Sequence, residues 1–317
     1  MVDVSFIATV YNSVDTVSAS LQSVIEVIEK LPNLGFEIVI VDNFSHDGTY
    51  EKLLNFKIKA LNTRNIKRFL VVRLRSSRGL GRQLAMRLAR GYYVVPIDLD
   101  IRIDADKLAK IISKYRELKV YKCLILANPG VHLICPRELL LRIGGYKDLN
   151  YGEDIELLAR ILHNNVAISL PIKVASDLRS AEVLRERRYS RSILHFMYRK
   201  LSLLKDRALA YGLTPRKLIR EHRHVHKNNI IKVALNLMLH LPIFIYVKLN
   251  KTEGFSHIST NALLVDFLTY KTMVDPKSFG FTREDVIEYF RYFRNTREFH
   301  YIARYLDEVS IDLNLKG

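Results

Sequence analysis

The strand-like run YYVVPIDLDIRID, residues 92–104, ends its apolar part in Asp98-Leu99-Asp100. Alternate residues of a strand point to the same side, so Asp98 and Asp100 can both face one ligand. In open α/β sheets, ligands bind outside the carboxyl ends of the strands. Two carboxylates held close together are costly unless a cation or a reaction uses them. The run therefore predicts a strand that brings a cation-binding or catalytic pair to the edge of a sheet.

Strands and helices alternate through the rest of the N-terminal half. Further β-rich apolar runs lie at residues 4–10, 36–41 and 69–74, and apolar residues with helical spacing occupy segments between the runs. Alternation of this length is typical of a mostly parallel sheet with right-handed crossovers. The sequence predicts an α/β fold with a mostly parallel sheet flanked by helices.

Two further acidic clusters occur along the chain. VDNFSHDGT, residues 41–49, places Asp42 where a second apolar run ends, and YGEDIELLAR, residues 151–160, places Glu153-Asp154 at the start of a helical pattern. Taken alone, each has an ordinary structural explanation, because carboxylates cap turns and favour helix N-termini. A lone Asp-x-Asp is also common, and most such pairs are not metal sites. The order of the three clusters is more informative than any single one.

The combination of motifs resembles family 2 glycosyltransferases of the GT-A fold over about residues 3–180. The resemblance rests on SFIATVYNS (5–13), SSRGLGRQLAM (76–86) and IGGYKDLNYGEDIELLARI (143–161), together with the Asp42 and Asp98-Leu99-Asp100 segments. It implies a nucleotide-diphospho-sugar donor, inversion at the anomeric carbon and a divalent metal, Mn²⁺ or Mg²⁺. Many relatives carry a second Asp where this chain has Asn43, so the base of the donor stays open.

The resemblance also implies roles for individual residues. Asp42 accepts a hydrogen bond from the base, Asp100 binds the metal directly, and Asp98 contacts the ribose or a metal-bound water. Asp177 corresponds to the position of a further metal ligand in some relatives, with a loop carboxylate as the alternative. The complete set implied for donor binding is Thr9, Tyr11, Asn12, Asp42, Arg78, Gly79, Arg82 and Asp98, in which Arg78 and Arg82 lie near the diphosphate.

Glu153 and Asp154 are the implied catalytic pair. Asp154 acts as the base that deprotonates an acceptor hydroxyl, and Glu153 orients the acceptor. The expected acceptor is a glycan or glycolipid at the cytoplasmic face of the membrane. One alternative is a polyprenyl phosphate, which is already ionised and needs no base. An alternative from another class is a nucleic-acid-binding protein built on a degenerate transferase scaffold, which the intact acidic motifs disfavour.

The positive charge is concentrated after the predicted catalytic part. Residues 185–250 hold 15 Lys/Arg against 3 Asp/Glu, within a chain of net charge +17. We therefore expect a catalytic domain over 1–180 and a helical C-terminal region over 181–317. The positive charge of its basic part, 185–250, indicates an anionic partner such as a membrane surface. Residues 255–317 are predicted to form a helical cap. The apolar stretch within 229–250 can be interfacial, buried or, as a third option, spanning.

The cysteines and the N-terminus bear on location. Cys123 and Cys135 match neither a zinc spacing nor a secreted disulfide framework, so we expect structural thiols in a reducing compartment. The N-terminal MVDVSFIATVYN lacks a basic region before its short apolar run, and no signal peptide is evident. These features predict a cytoplasmic protein, peripheral on the cytoplasmic face of the membrane if the basic segment binds lipid.

Overall fold

The computed structural model describes residues 1–128, 130–179 and 271–294, together with the single positions 201, 202, 205, 206, 209, 238, 241 and 245. The predicted domain boundary near residue 180, most of the basic segment 185–250 and most of the cap 255–317 lie outside this part of the chain. These three expectations stay predictions. Among the described residues, no helix combines the length and the apolarity that a membrane crossing requires.

Nine strands and seven helices have both of their ends among the described residues. The strands are β1 Val4–Val10, β2 Phe36–Asp42, β3 Ile66–Arg73, β4 Tyr93–Pro96, β5 Ile101–Ile103, β6 Cys123–Asn128, β7 Val131–Pro136, β8 Ala167–Ser169 and β9 Ala175–Asp177. The helices are α1 Val17–Glu29, α2 Thr49–Ala60, α3 Arg78–Leu88, α4 Ala105–Glu117, α5 Arg137–Arg142, α6 Glu153–His163 and α7 Arg283–Arg294, with a 3₁₀ turn at Pro276–Phe279.

The central sheet has the strand order β3-β2-β1-β4-β7-β6-β8. The first four strands are parallel, and β7 runs antiparallel to both of its neighbours. In this register Val10 lies opposite Asp42, and Ile7 lies opposite Pro96. The carboxyl ends of β1, β2 and β4 consequently meet at one edge of the sheet. The predicted α/β fold with a mostly parallel sheet flanked by helices is confirmed.

Each face of the sheet has its own hydrophobic core. Alternate residues of β1 serve the two faces, because Phe6 packs with the residues of α1 and α4, while Ile7 packs with those of α3 and α6. Both residues are fully buried. Two-sided burial explains why most residues of β1 and β2 are apolar on both faces of the sheet.

Helix α3 is pressed against its neighbours through its two glycines. A Cβ at Gly79 would lie 1.9 Å from the carbonyl oxygen of Lys147, and one at Gly81 would lie 2.3 Å from Thr9 Oγ1. Ser77 caps the helix by accepting from Leu80 N at 3.1 Å. Any side chain at these glycines would push α3 away from β1 and from the loop before α6. The glycine-containing motif therefore sets the distance between the carboxyl end of β1 and the start of α6.

The two cysteines correct one expectation. Cys123 on β6 and Cys135 on β7 are joined in a disulfide, with their Cα atoms 4.2 Å apart. Both residues are fully buried. The sequence separation of 12 resembles no disulfide framework, but the antiparallel β6–β7 pairing places the two positions opposite each other. The prediction of free thiols was wrong for this reason.

Candidate active site

A cavity of about 390 Å³ lies at the carboxyl ends of β1 and β4. Five of the residues predicted to bind donor or metal line it, namely Thr9, Tyr11, Arg78, Asp98 and Asp100. The structure adds residues that sequence reasoning did not single out for the site, among them Ser13, Asn150, Tyr151 and Arg179. Tyr11 is half exposed, and its ring lies 6.0 Å from that of His46.

Backbone hydrogen bonds fix the acidic pair at the cavity. Asp98 N donates to Gly130 O at 2.8 Å, and the carbonyl of Asp100 accepts from Leu178 N at 2.9 Å. The side chains of Asp98 and Asp100 are 31% and 38% exposed, so both carboxylates reach the cavity. The Asp-x-Asp pair is thus held by the turn after β6 on one side and by the end of β9 on the other.

The two carboxylates differ in their electrostatic surroundings. Burial opposes ionisation of Asp98, but the guanidinium groups of Arg82 and Arg78 outweigh burial and lower its pKa. Burial and the charge of Asp98 raise the pKa of Asp100, although Arg179 partly offsets them. Asp100 therefore has the greater need of a further cation.

A divalent cation fits this pair through its donor chemistry. Carboxylate oxygens suit Mg²⁺ and Mn²⁺, and a cation beside Asp98 and Asp100 would offset the repulsion that raises the pKa of Asp100. Among the described residues, no group of three or more His, Cys, Asp or Glu side chains is arranged to hold a metal. Asp177 accordingly does not complete such a group, and the remaining ligands would be oxygens of the diphosphate or of water.

Arg82 is buried behind the cavity and bridges two carboxylates. Its Nη1 donates to Glu153 Oε1 at 2.6 Å, and its Nη2 donates to Asp98 Oδ1. Asp98 and Glu153 together raise the pKa of Arg82 well above its ordinary value, against the effect of burial. We expected Arg82 beside the diphosphate. Its guanidinium instead joins the donor-side carboxylate to the first residue of α6.

The start of α6 places the predicted catalytic pair in two different environments. Glu153 is 1% exposed, and burial raises its pKa to about 7 despite the contact with Arg82. Its Oε2 has no hydrogen-bond partner among the described residues. Asp154 is partly exposed, and its Oδ1 accepts from Ile155 N at 2.8 Å. Of the two, Asp154 is the carboxylate that an acceptor can reach, while Glu153 holds Arg82.

A buried histidine–tyrosine pair packs against this bridge. His132 Nε2 lies 2.8 Å from Tyr146 Oη, and the guanidinium of Arg82 lies 5.7 Å from the centre of the Tyr146 ring. Burial, followed by the charge of Arg82, lowers the pKa of His132 to about 4, so the imidazole is neutral at pH 7. Nothing in the sequence marks His132, because it is a single histidine in an apolar strand.

Besides Arg82, three further residues predicted to bind the donor have structural partners and do not line the cavity. Asp42 is fully buried, where it accepts from Ser45 N at 3.1 Å and from Arg73 Nε at 3.2 Å. Asn12 N donates to Ser45 Oγ at 3.0 Å and so ties the loop after β1 to the loop after β2. Gly79 contacts the backbone of Lys147. Asn43, next to Asp42, does line the cavity.

A mostly parallel sheet with an Asp-x-Asp pair at a cavity beside the carboxyl ends of its strands is the arrangement of the GT-A fold. Residues 5–144 match the model of the family described as Glycosyl transferase family 2. The resemblance predicted from the motifs is confirmed over this part of the chain.

Individual relatives agree with this assignment. A poly(ribitol-phosphate) beta-glucosyltransferase of Bacillus spizizenii is 31% identical over 109 residues, which cover 34% of this chain and 16% of that enzyme. The fold is similar to TarS 1-349 of S. aureus in complex with UDP-GlcNAc, with a TM-score of 0.50, 19% identity and coverage of 91% of this chain and 89% of that one.

An archaeal enzyme shares the same fold. The mannosyltransferase PcManGT from Pyrobaculum calidifontis, in complex with GDP-Man and Mn²⁺, matches with a TM-score of 0.50 and 17% identity, over 85% of this chain and 86% of that one. The chain spans a small part of the curated relative that it matches, 16% of its length, and 54% of the longer S. aureus TarS chain. These structural likenesses show the fold.

Proposed function

We propose that this protein is an inverting, metal-dependent glycosyltransferase that moves a sugar from a nucleotide-diphospho-sugar to a hydroxyl of a glycan or glycolipid. The observation that carries the proposal is the Arg82 bridge. It joins Asp98, at the donor cavity, to Glu153, at the start of the segment that carries Asp154. Donor-binding and acid–base groups thereby form one connected site, as a transfer reaction needs.

Asp154 is the proposed catalytic base. It accepts the proton of the acceptor hydroxyl while the acceptor oxygen forms a bond to the anomeric carbon. The bond from that carbon to the diphosphate breaks on the opposite side, and the nucleoside diphosphate leaves with the electron pair. One in-line displacement of this kind inverts the anomeric configuration. Glu153 does not take the proton in this scheme, because Arg82 and burial keep it away from the cavity.

The leaving diphosphate needs positive charge. Asp100 and Asp98 would hold Mn²⁺ or Mg²⁺, which supplies charge neutralisation at the departing diphosphate when it is bound. Arg78 lines the cavity with a side chain that is 54% exposed, so it can reach the same oxygens. Tyr11 and Thr9 line the same cavity as Asn43, and in this proposal they support the nucleoside.

The acceptor is proposed from chemistry and from one relative. A hydroxyl acceptor requires a base, which the partly exposed carboxylate of Asp154 provides, whereas a polyprenyl phosphate requires none. The Bacillus relative is named for poly(ribitol-phosphate), a polymer that contains hydroxyl groups, and this agrees with a hydroxyl acceptor. The excess of 15 Lys/Arg over 3 Asp/Glu in residues 185–250 suits an anionic acceptor or an anionic membrane surface.

A donor screen tests the proposal. Purified protein is mixed with UDP-, GDP- or dTDP-sugars and Mn²⁺ or Mg²⁺, and thermal stabilisation and slow nucleotide release are measured. We expect stabilisation by one nucleotide that requires the metal and is lost in Asp100→Ala. Asp106→Ala, at a carboxylate that is 84% exposed on α4, is the matched control and should respond like the wild type. No response to any nucleotide under either metal would refute the proposal and leave the basic segment as the functional part.

A further inference from the structure

Arg179 lines the cavity and contacts two other residues that line it. Its Nη1 lies 3.2 Å from Asp100 Oδ2, and its Nη2 donates to Ser13 Oγ at 3.0 Å. The side chain is 17% exposed and lines the cavity. One guanidinium thus links the carboxyl end of β4 to the loop that follows β1, the two elements between which a donor would lie.

The backbone fixes this position independently of the ion pair. Strands β5 and β9 form a two-stranded antiparallel sheet in which Ile101 pairs with Asp177. The next residue, Leu178, donates from its N–H to the carbonyl of Asp100 at 2.9 Å. Arg179 therefore starts from an anchored backbone, so its side chain can exchange partners without moving the chain.

The charges at the cavity give Arg179 a role. Arg82 is 1% exposed, donates from both Nη atoms to Asp98 and Glu153, and does not line the cavity, so its guanidinium is not presented to a phosphate there. Of the described residues that line the cavity, Arg78 and Arg179 are the two that carry positive charge. A guanidinium presents parallel N–H donors to phosphate oxygens, and these charge-assisted bonds are among the strongest in proteins.

We propose that Arg179 binds the diphosphate of the donor and that Asp100 and Ser13 hold it in place until the donor arrives. On donor binding the guanidinium exchanges the Asp100 oxygen for phosphate oxygens, which frees Asp100 for a cation. This inference rests on the proposed function, and it assigns to Arg179 the phosphate contact that the sequence predicted for Arg82. Arg179 is a binding residue and takes no proton in the reaction.

The test compares Arg179→Ala with Arg102→Ala. Arg102 is the matched control because it lies on β5 of the same two-stranded sheet, opposite Ser176, with an exposed side chain outside the cavity. Calorimetry measures binding of UDP, GDP, dTDP and inorganic pyrophosphate, each with and without Mn²⁺, and of the corresponding nucleosides. We expect Arg179→Ala to bind the diphosphates about tenfold or more weakly, with nucleoside binding unchanged. Arg102→Ala should match the wild type.

A second readout separates a binding role from a merely structural one. Removal of the guanidinium that competes for Asp100 should make Arg179→Ala bind Mn²⁺ alone more tightly, although it binds diphosphate more weakly. Arg179→Lys keeps the positive charge but not the paired N–H donors, so it should lose part of the affinity for diphosphate. If the alanine variant folds poorly, the lysine variant replaces it in the binding test. The Mn²⁺ affinity is measured by electron paramagnetic resonance of the free ion.

The outcomes distinguish this inference from the proposed function. If wild type and Arg179→Ala bind UDP, GDP, dTDP and pyrophosphate equally, the role of Arg179 is refuted and the proposed function stands. If Arg179→Ala binds the nucleosides more weakly by the same factor as the diphosphates, the role of Arg179 is also refuted, because the defect would then not lie at the diphosphate. If the wild type binds none of the four, both the inference and the proposed function are overturned.

Discussion

Arg82 Nη1 donates to Glu153 Oε1 across 2.6 Å, and both side chains are buried. The same guanidinium donates to Asp98, so three elements of the fold, α3, the end of β4 and α6, meet at one cation. Buried charges are tolerated when they are paired, and removal of one partner leaves the others uncompensated. The bridge therefore makes the geometry of the site depend on Arg82.

Arg82→Met should destabilise the protein strongly. The substitution keeps most of the volume but leaves Glu153 and Asp98 without their shared cation, and breaking a buried pair in this way costs about 3–5 kcal/mol. Urea unfolding followed by circular dichroism measures the loss. Arg87→Met, at an exposed position of the same helix, should change the free energy of unfolding by less than about 0.5 kcal/mol.

A double variant checks that the cost comes from the bridge. With Glu153→Gln already present, Arg82→Met should cost less than it does alone, because one of the two uncompensated carboxylates is then neutral. The proposed interaction would be contradicted if the changes in unfolding free energy of the two single variants simply add in the double variant. It would also be contradicted if the Arg82→Met protein is as stable as the wild type.

Glu153 and His132 should give the stability of the protein opposing pH dependences. The pKa of Glu153 rises from 4.5 to about 7 on folding, so its contribution is full below pH 4.5 and is lost as the pH rises through 7. The pKa of His132 falls from 6.5 to about 4, so its contribution is full above pH 6.5 and is lost as the pH falls through 4. Each effect is on the order of 3 kcal/mol, and between pH 4.5 and 6.5 they largely cancel.

Glu153→Gln should expose the histidine contribution. As the pH rises from 4.5 to 7, the free energy of unfolding of this variant should rise relative to that of the wild type by on the order of 3 kcal/mol. The reason is that the wild type loses the proton that Glu153 holds in the folded state, whereas Gln has no such proton. Urea unfolding at several pH values provides the measurement, and Glu138→Gln, at an exposed carboxylate, is the control. A stability difference between Glu153→Gln and the wild type that does not change with pH would show that Glu153 is ionised throughout this range.

Asp154→Asn and Asp100→Ala should both abolish transfer, through different steps. Loss of a general base lowers the rate about 10²- to 10⁴-fold, and the amide of Asn can still accept from Ile155 N, so the fold should be kept. Asp154→Asn should bind the donor nucleotide like the wild type, whereas Asp100→Ala should lose the stabilisation that depends on the metal. Nucleotide release is measured with water, polyol and polyprenyl phosphate acceptors. An Asp154→Asn protein that keeps most of its activity would favour the phosphate acceptor.

The sequence predicted the part of the site that lies at the ends of long strands. The apolar runs that became β1 and β4 place Thr9, Tyr11, Asp98 and Asp100 at one edge, since parallel strands end together. Such apolar runs and motifs are formed by neighbouring residues, so they can be recognised from one amino-acid sequence.

The other contacts depend on tertiary register, which local patterns do not encode. Arg179 reaches Asp100 through pairing between the three-residue strands β5 and β9, which are too short to show a periodicity. Arg82 was predicted to meet phosphate because an arginine near a glycine turn is typical of such a contact. Its burial follows from the close approach of α3 to the loop before α6, which Gly79 permits.

The disulfide between Cys123 and Cys135 should contribute to stability and to the shape of the site. It closes a loop with a sequence separation of 12, for which loss of the bond costs about 2–3 kcal/mol. The same hairpin carries His132 and Gly130, whose carbonyl accepts from Asp98 N at 2.8 Å. Protein unfolded without reductant should show no free thiols in a colorimetric thiol assay, and two after reduction. The reduced protein and Cys123→Ala/Cys135→Ala should both be less stable and bind the donor nucleotide more weakly. Two free thiols before reduction, with stability insensitive to reductant, would mean that the strands hold this hairpin without a covalent bond.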